Sequence, residues 1–291
     1  MKEYKLTNGK YELTVSDHGA EIRSLKKDGK ELMWQADPAF WKRHSPVLFP
    51  IVGGVWENVY RVDGKEYPLG QHGFARDMDF TLVAESDDKV LYELDYTEET
   101  LAKYPYKFKL YIGYALEGDK VRVIWKVVNM DEKEICFQIG AHPAFYFPNY
   151  EEKTSGRGYF GFDNPHLSYI RLKEKGCADP EVAYHVPVNE EGLLPLDTHT
   201  FDIDTFIIED DQVKEVTLYD LQKKPVLALQ FTAPVVGLWS PPKKNAPFVC
   251  IEPWYGRCDR VNYTGDYSEK DWVQHLPVGE VFEASYTIQI F

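Results

Sequence analysis

Three short segments, far apart in the chain, place an ionisable side chain beside glycine, proline or an aromatic residue. Each follows or interrupts an apolar run, and the three are Gln71–Arg76, Gly140–Phe145 and Cys250–Trp254. Because the segments adjoin apolar runs, we expect His72, His142 and Glu252 to project from rigid strand ends. Two imidazoles and a carboxylate are side chains that can transfer protons as general acids and bases.

Each segment, taken singly, also has a structural explanation. A histidine beside a proline is commonly a loop or capping residue, and Glu252 could pair with Arg257 or Arg260, because a glutamate is rarely buried without a partner. Two histidines and a glutamate are known zinc ligands, but these three lack close ligand spacing in the sequence, so we expect no metal. Glycoside hydrolysis usually needs two carboxylates at the scissile bond. The three segments supply only one, so this reaction is the least favoured.

Composition narrows the class of protein further. The chain has 291 residues, of which 44% are hydrophobic and 15% aromatic. This length supports a full core, and the aromatic content favours β structure. The net charge of −14 argues against nucleic acid as a partner, because phosphate binding needs basic surfaces, and against an anionic membrane. We therefore expect a small-molecule partner, and a monomer or homodimer.

The cysteines and the apolar runs bear on location. Four cysteines, at positions 136, 177, 250 and 258, form no Cys-x-x-Cys pair, which speaks against a zinc knuckle. The first residues lack the apolar stretch of a secretory signal, and no run approaches the ~20 apolar residues of a membrane span. We expect a cytoplasmic protein with free thiols.

The segments that must position these side chains have the alternating pattern of β-strands. Alternating apolar residues cover Phe108–Leu116 and Val121–Val127, with Gly118-Asp119 between them, which predicts an antiparallel hairpin. Val90–Tyr96 and Phe282–Ile290 alternate in the same way.

Turns and helices complete the prediction. Asp28-Gly29 and Asp63-Gly64 suit type I′ hairpin turns. Short helices are expected at Thr97–Lys103 and Ser268–Leu276, and the polar stretches 151–158 and 173–180 are expected to be loops. We predict an all-β fold, a large antiparallel β-sandwich with few short helices, in a single domain over residues 1–291.

Taken together, the ordered segments resemble the aldose 1-epimerase (galactose mutarotase-like) family over nearly the whole chain. The matching stretches are Trp41–Gly53, His72–Arg76, Thr97–Phe108, His142–Phe145, Glu252–Trp254 and Leu276–Glu280. The Arg43-His44-Ser45-Pro46 loop is more similar to a bacterial branch associated with lactose operons, which includes sugar-phosphate epimerases, than to a pure galactose mutarotase. The resemblance implies the interconversion of α and β anomers by ring opening and closure, without a cofactor.

The resemblance also implies a role for individual residues. Glu252 would be the base at the C1 hydroxyl, and His142 the acid at the ring oxygen. An ionised Glu252 nearby would favour the imidazolium form of His142. His72 would hold a sugar hydroxyl or the ring oxygen. The remaining candidates for substrate binding are Arg43, Arg76, Asp204 (with Asp202 as an alternative), Trp254 and Trp239.

Two alternatives to a free-aldose epimerase stay open from the sequence. A hexose-6-phosphate 1-epimerase would need a cationic group at the phosphate, for which Arg43 and Arg76 are candidates. A sugar-binding protein without turnover could use the same fold, but it would not need an acid and a base of these types.

Overall fold

The computed structural model describes residues 1–291 and is built almost entirely from β-strands. The strands of the first half are β1 (Glu3–Thr7), β2 (Tyr11–Ser16), β3 (Ile22–Lys27), β4 (Lys30–Glu31), β5 (Val47–Leu48), β6 (Val59–Val62), β7 (Lys65–Pro68), β8 (Thr81–Glu85), β9 (Lys89–Asp95), β10 (Phe108–Glu117), β11 (Lys120–Asn129), β12 (Ile135–Phe137) and β13 (Ile139–Ala141). Those of the second half are β14 (Ala144–Tyr146), β15 (Gly156–Phe162), β16 (Ser168–Glu174), β17 (Cys177–His185), β18 (Leu194–Asp197), β19 (Phe206–Ile208), β20 (Glu215–Tyr219), β21 (Pro225–Phe231), β22 (Val235–Trp239), β23 (Phe248–Tyr255), β24 (Gln274–Leu276) and β25 (Val281–Ile290).

Helical structure is short and sparse. The one α-helix is α1 (Glu98–Leu101), which begins in a capping box between Thr97 and Thr100, as the pattern over Thr97–Lys103 predicts. The 3-10 helices cover Trp56–Asn58, Ala75–Asp77 and Tyr267–Glu269. No helix has the length and apolar character needed to cross a lipid bilayer.

The predicted hairpins form where alternation and turn residues agree. β10 and β11 pair with Leu110 opposite Val127 and Glu117 opposite Lys120. At the earlier turns, Asp28 and Gly29 have φ of 48° and 78°, and Asp63 and Gly64 have φ of 51° and 75°. Two consecutive positive φ values define the type I′ turn, so these predictions are confirmed.

Two large antiparallel sheets carry most of the chain. One has nine strands, in the order β18-β15-β20-β21-β25-β11-β10-β9-β8, and the other has eight, in the order β17-β16-β19-β22-β23-β13-β5 with β14 beside β23. Trp125 of β11 packs edge-on against Tyr255 of β23, with ring centroids 6.2 Å apart. A core of 66 buried residues draws on both sheets, so the all-β antiparallel sandwich is confirmed; the single domain over 1–291 stays a prediction.

Two local predictions are wrong, and the loop expected over 151–158 ends early because β15 begins at Gly156. Residues 173–180, expected to be a loop, form the turn and the adjoining strand ends of the hairpin between β16 and β17, because Lys175 and Gly176 take φ of 52° and 72° and make a two-residue turn. Ser268–Leu276, expected to be helical, is helical only at Ser268 and Glu269, the end of a 3-10 helix, and finishes in β24, which pairs with β12. A positive φ of 60° at Trp272 prevents a helix there, because helical residues need negative φ.

The cysteines are all buried free thiols, as expected. Cys177 and Cys258 lie near each other at the end of the eight-stranded sheet, and burial raises the pKa of the Cys177 thiol to about 12. High thiol pKa values keep cysteines unreactive.

Candidate active site

The eight-stranded sheet has two different faces because side chains alternate along a strand. On β23, Val249 and Ile251 enter the main core, while Cys250, Glu252 and Trp254 have the opposite parity and point to the other face. The chemistry-bearing residues of this strand are therefore separated from the core that holds the two sheets together. Glu252 lies within β23, opposite Gly237 of β22, and not at a strand end as expected.

A cleft of ≈ 320 Å³ opens on this second face. It brings together six of the seven residues predicted for the site, although they come from segments spread over 180 positions. These six are His72, Arg76, His142, Asp204, Glu252 and Trp254. Arg43 is not among the residues that line the cleft, because its guanidinium pairs with Asp77 at 2.9 Å.

His142 and Glu252 form the closest acid/base pair of the cleft. His142 directly follows β13, and its Nε2 lies 3.3 Å from Oε2 of Glu252. The imidazole is held on both sides by tryptophans: Trp41 stacks on it at 4.6 Å between centroids, and Trp239 meets it edge-on at 5.3 Å. The stacking role of Trp41 was missed from the sequence, although Trp41 begins one of the segments that resemble the family.

Burial shifts both members of this pair towards their neutral forms. It raises the pKa of Glu252 well above its usual range, with a further contribution from the negative charge of Asp204. It lowers the pKa of His142 to about 3, and the positive charge of Arg76 adds to this. The expectation of an imidazolium at His142 is therefore wrong for the free protein, because removing both groups from water disfavours each charged form. Burial therefore favours the arrangement in which the carboxyl carries the proton of the pair.

His72 is fixed in one tautomer. Its Nδ1 accepts a hydrogen bond from the backbone N–H of Gly53 at 3.0 Å, so Nε2 carries the proton and can donate. Burial lowers its pKa well below the usual value, which keeps the ring neutral. His72 has a φ of 65°, a strained conformation for a residue with a Cβ, and such strain concentrates at functional sites. Its ring meets that of His142 at 5.5 Å.

Asp204 and Asp202 differ sharply in their surroundings. Asp204 lines the cleft, has a φ of 73° and accepts a hydrogen bond from the Thr205 hydroxyl at 2.9 Å. Asp202 is exposed and pairs with His199 at 2.9 Å. Of the two aspartates that the sequence left open, Asp204 alone lines the cleft.

Trp254 forms part of the floor of the cleft, and two glycines make room for it. A Cβ at Gly140 would lie 2.6 Å from Cδ1 of Trp254, and one at Gly237 would lie 2.4 Å from its Cη2. Trp254 also packs into a small cluster of buried residues behind the cleft. Trp254 therefore contributes both to the packing behind the cleft and to the surface of the cleft.

Arg76 is the one arginine or lysine among the residues that line the cleft. One of its Nη atoms donates to the backbone carbonyl of Gln71 at 2.6 Å. Burial, and to a smaller extent the neighbouring charge of Arg43, lowers the pKa of Arg76 to about 10, so the side chain stays cationic at neutral pH.

Unsatisfied polar atoms gather in this cleft. Of the eight buried side-chain N and O atoms without a hydrogen-bond partner, four belong to residues that line it: Nε of Arg76, Nδ1 of His142, Oε2 of Glu252 and Nε1 of Trp254. Because buried polar groups are nearly always satisfied, this concentration of donors and an acceptor fits a ligand that carries many hydroxyl groups.

One group of side chains in the cleft could reach a metal ion. Donor atoms of His142, Cys250 and Glu252 lie within 4.8 Å of one another. A metal would need Cys250 as a thiolate, whereas burial and the nearby Glu252 raise the pKa of that thiol well above its usual value. The set therefore suits proton transfer better than metal binding.

Comparison with known proteins places this site in a family. The chain matches the model of the aldose 1-epimerase family over residues 2–289. It is 30% identical over 282 residues, 94% of each chain, to the chromosomal protein LacX of Lactococcus lactis subsp. lactis. The crystal structure of a galactose mutarotase related enzyme from Lactobacillus acidophilus superposes with a TM-score of 0.93 at 34% identity, covering 100% of this chain and 97% of that one.

A galactose mutarotase-like protein from Lactobacillus casei ATCC 334 gives a TM-score of 0.92 at 28% identity, with both chains fully covered. The match of the family extends over the whole sandwich and includes every residue of the cleft. The chain belongs to the aldose 1-epimerase family.

Proposed function

We propose that this protein interconverts the α and β anomers of a free aldose, with Glu252 and His142 as the two proton-transfer groups. The observation that carries the proposal is the His142–Glu252 pair, 3.3 Å apart in a cleft with unsatisfied polar atoms. Ring opening needs one base and one acid beside the anomeric carbon, and this pair supplies one proton and one proton acceptor.

The reaction uses each group twice. When the ring form binds, the proton of the pair passes from Glu252 to His142 across the 3.3 Å between them. Ionised Glu252 then removes the proton from the C1 hydroxyl, and protonated His142 gives its proton to the ring oxygen as the C1–O5 bond breaks. The open aldehyde rotates about C1–C2. Neutral His142 then takes the proton back from the C5 hydroxyl as that oxygen attacks the other face of C1, and Glu252 protonates the new C1 oxygen. Protons balance, and no covalent intermediate with the protein forms.

The neighbouring residues orient the sugar in this proposal. His72 donates from Nε2 to a sugar oxygen, because its Nδ1 is occupied by Gly53. Arg76 donates to a hydroxyl through its unpartnered Nε, and Asp204 accepts from another. The face of Trp254 supports the apolar side of the ring.

The cationic residues favour a free sugar over a sugar phosphate. Arg76 is the one arginine or lysine in the cleft lining, and Arg43 is paired with Asp77. A phosphate dianion is usually recognised by a bidentate arginine or several cations. We also infer a cytoplasmic location, because four free thiols suit a reducing compartment.

The test is anomer exchange in Glu252→Gln, followed by NMR on free aldoses and their 6-phosphates. Glutamine keeps the size of the side chain but cannot accept the proton, so we expect kcat to fall by roughly 10²–10⁴-fold. The fold should persist, because the amide is neutral and burial favours the neutral form of the carboxyl that it replaces.

The matched control is Glu283→Gln, which changes an exposed glutamate of β25 and should leave kcat unchanged. Near-normal exchange in a folded Glu252→Gln protein would show that Glu252 is not the base.

A further inference from the structure

A second group of metal-ligating side chains lies outside the cleft, on the small sheet formed by β12 and β24. Donor atoms of Glu134, Cys136 and His275 lie within 4.8 Å of one another. None of these residues lines the cleft, so the proposed epimerase reaction does not use them.

The strand pair fixes two of the three residues on one face. Glu134 directly precedes β12, and its carboxylate lies within 4.8 Å of the donor atoms of Cys136 and His275. His275 is the direct partner of Cys136 across the ladder, and directly opposed residues in an antiparallel pair share a face. The strand ladder therefore sets the spacing of Cys136 and His275, and Glu134 reaches them from the residue before β12.

Hydrogen bonds within the group do not satisfy it. The same ring nitrogen of His275, Nδ1, faces both Oε1 of Glu134 at 2.9 Å and Sγ of Cys136 at 3.6 Å. A proton-relay triad would use the two opposite ring nitrogens. Here a single nitrogen meets both partners, which is the arrangement expected when three donors surround one point.

The distances suit a tetrahedral ion. Zinc–nitrogen and zinc–sulfur bonds of normal length, at a tetrahedral angle, hold the two ligand atoms about 3.6 Å apart, which matches the separation between Cys136 and His275. The carboxylate would need to move outward by roughly 0.5 Å to reach its own tetrahedral position. Glu134 can do so, because half of its side chain is exposed.

We propose that Glu134, Cys136 and His275 form a binding site for a zinc-like divalent cation. The ligand set of one nitrogen, one sulfur and one oxygen is of the kind that zinc accepts. Burial raises the pKa of the Cys136 thiol to about 11, so the ion must displace the thiol proton as it binds. The ion and the released proton pass through solvent beside the exposed Glu134 and His275, and water supplies the fourth ligand. Bound there, it joins β12 to β24 and stabilises the folded chain, because a metal that binds the native state raises its stability.

The chain offers matched control pairs. His18 meets Asp79 at 2.7 Å and His199 meets Asp202 at 2.9 Å, both through Nδ1. These pairs have the same histidine–carboxylate contact as His275 with Glu134, and no cysteine is recorded with either. Variants of these two pairs therefore show whether zinc binds at a site with three ligands or at any histidine on the surface.

The experiment measures metal binding by the full chain after treatment with a chelator. Zinc binding is followed by calorimetry, and cobalt binding by the absorption of a sulfur-to-cobalt charge-transfer band. We expect one equivalent of metal, a cobalt band, and a rise in Tm with zinc. His275→Gln, Glu134→Gln and Cys136→Ser should each weaken binding by more than the roughly 10- to 100-fold caused by losing an outer-sphere partner.

The controls distinguish this site from the cleft. His18→Gln should bind zinc like the unmodified protein, and anomer exchange should be unchanged by chelation. Since Glu134 and His275 are exposed, their variants are expected to fold even if Cys136→Ser does not. No stoichiometric binding, or equal binding by His275→Gln and Glu134→Gln, would overturn the proposal. So would loss of the metal in Cys250→Ser with retention in Cys136→Ser. Anomer exchange is measured separately, so either proposal can fail alone.

Discussion

Burial raises the pKa of Glu252 and lowers that of His142. It therefore favours the arrangement in which the two groups share one proton, held by the carboxyl, and neither carries a charge. In the proposed reaction this is the arrangement reached after ring opening. The protein therefore favours the protonation state that accompanies the open aldehyde, and this lowers the free energy of the intermediate relative to the ring form.

This shared proton predicts the pH dependence of kcat/KM. The profile reports ionisations of the free enzyme, and the pair titrates as a unit. Its second proton binds only as the pH approaches the lowered pKa of His142, about 3. Its single proton leaves only above the usual range of a glutamate. We expect kcat/KM to stay level as the pH falls from about 7 to about 5, through the ordinary histidine pKa of about 6.5.

The measurement is anomer exchange at limiting substrate concentration, corrected for the spontaneous reaction at each pH. An acid limb centred near pH 6.5 would contradict the prediction, since it would mean that a histidine in the cleft titrates as it does in water.

At the scale of single residues, most of the site residues predicted from the sequence line the cleft, but their charge states could not be predicted. His72, His142 and Glu252 stand in distinctive segments, and all three meet in the cleft. The stack of Trp41 on His142 depends on how a loop crosses the sheet, which no local pattern encodes. The neutral state of His142 depends on burial by residues distant in sequence, so the charge expected from its neighbour Glu252 alone was wrong.

At the scale of elements, the alternation of β23 separates structure from chemistry. One parity of this strand fills the core and the other builds the cleft. Alternation with Asp-Gly turns was enough to predict the hairpins. It failed for β16 and β17, because Lys175-Gly176 is a turn pair in a stretch that is otherwise polar, and polar composition was interpreted as a loop.

The close fit of Trp254 on glycine predicts the effect of Gly237→Ala. The new Cβ would approach the Trp254 ring at 2.4 Å, and the ring cannot move without disturbing the cleft. Overpacking of this kind costs roughly 1–3 kcal/mol. We expect a lower free energy of unfolding together with a lower kcat/KM, measured by denaturant titration and anomer exchange.

Gly70→Ala is the matched control, because nothing lies within 4 Å of a Cβ at Gly70 and its φ is not in the left-handed region. It should change neither property. Equal effects of the two substitutions would show that the contact with Trp254 is unimportant.

At the scale of the whole molecule, a net charge of −14 surrounds a cleft whose lining includes a single arginine and no lysine. This distribution opposes the approach of an anionic substrate. We predict that the unmodified protein prefers free aldoses to their 6-phosphates. Arg76→Gln should raise KM for the free sugar, because Arg76 lines the cleft, while Arg43→Gln should change it little.

The two arginine variants are compared on one sugar and on its 6-phosphate by NMR. The contrary outcome is that the unmodified protein prefers the phosphate and that Arg43→Gln selectively loses this preference. This result would show that the protein is a hexose-6-phosphate 1-epimerase.

The sandwich class could be predicted from the sequence because alternation recurs along the whole chain. The order of strands could not. β25 lies between β21 and β11, although the three are far apart in sequence, and pairings of this kind depend on long-range packing that no local pattern describes.

The position of β25 has a consequence for the growing polypeptide. Until Val281–Ile290 leaves the ribosome, β11 and β21 each present an unpaired edge in what will be the middle of the nine-stranded sheet. Exposed edges of this type recruit strands from other chains. Nascent molecules therefore pass through a stage in which both halves of the sheet lack the strand that joins them. Protection from aggregation matters most at this stage, just before synthesis of β25 is complete.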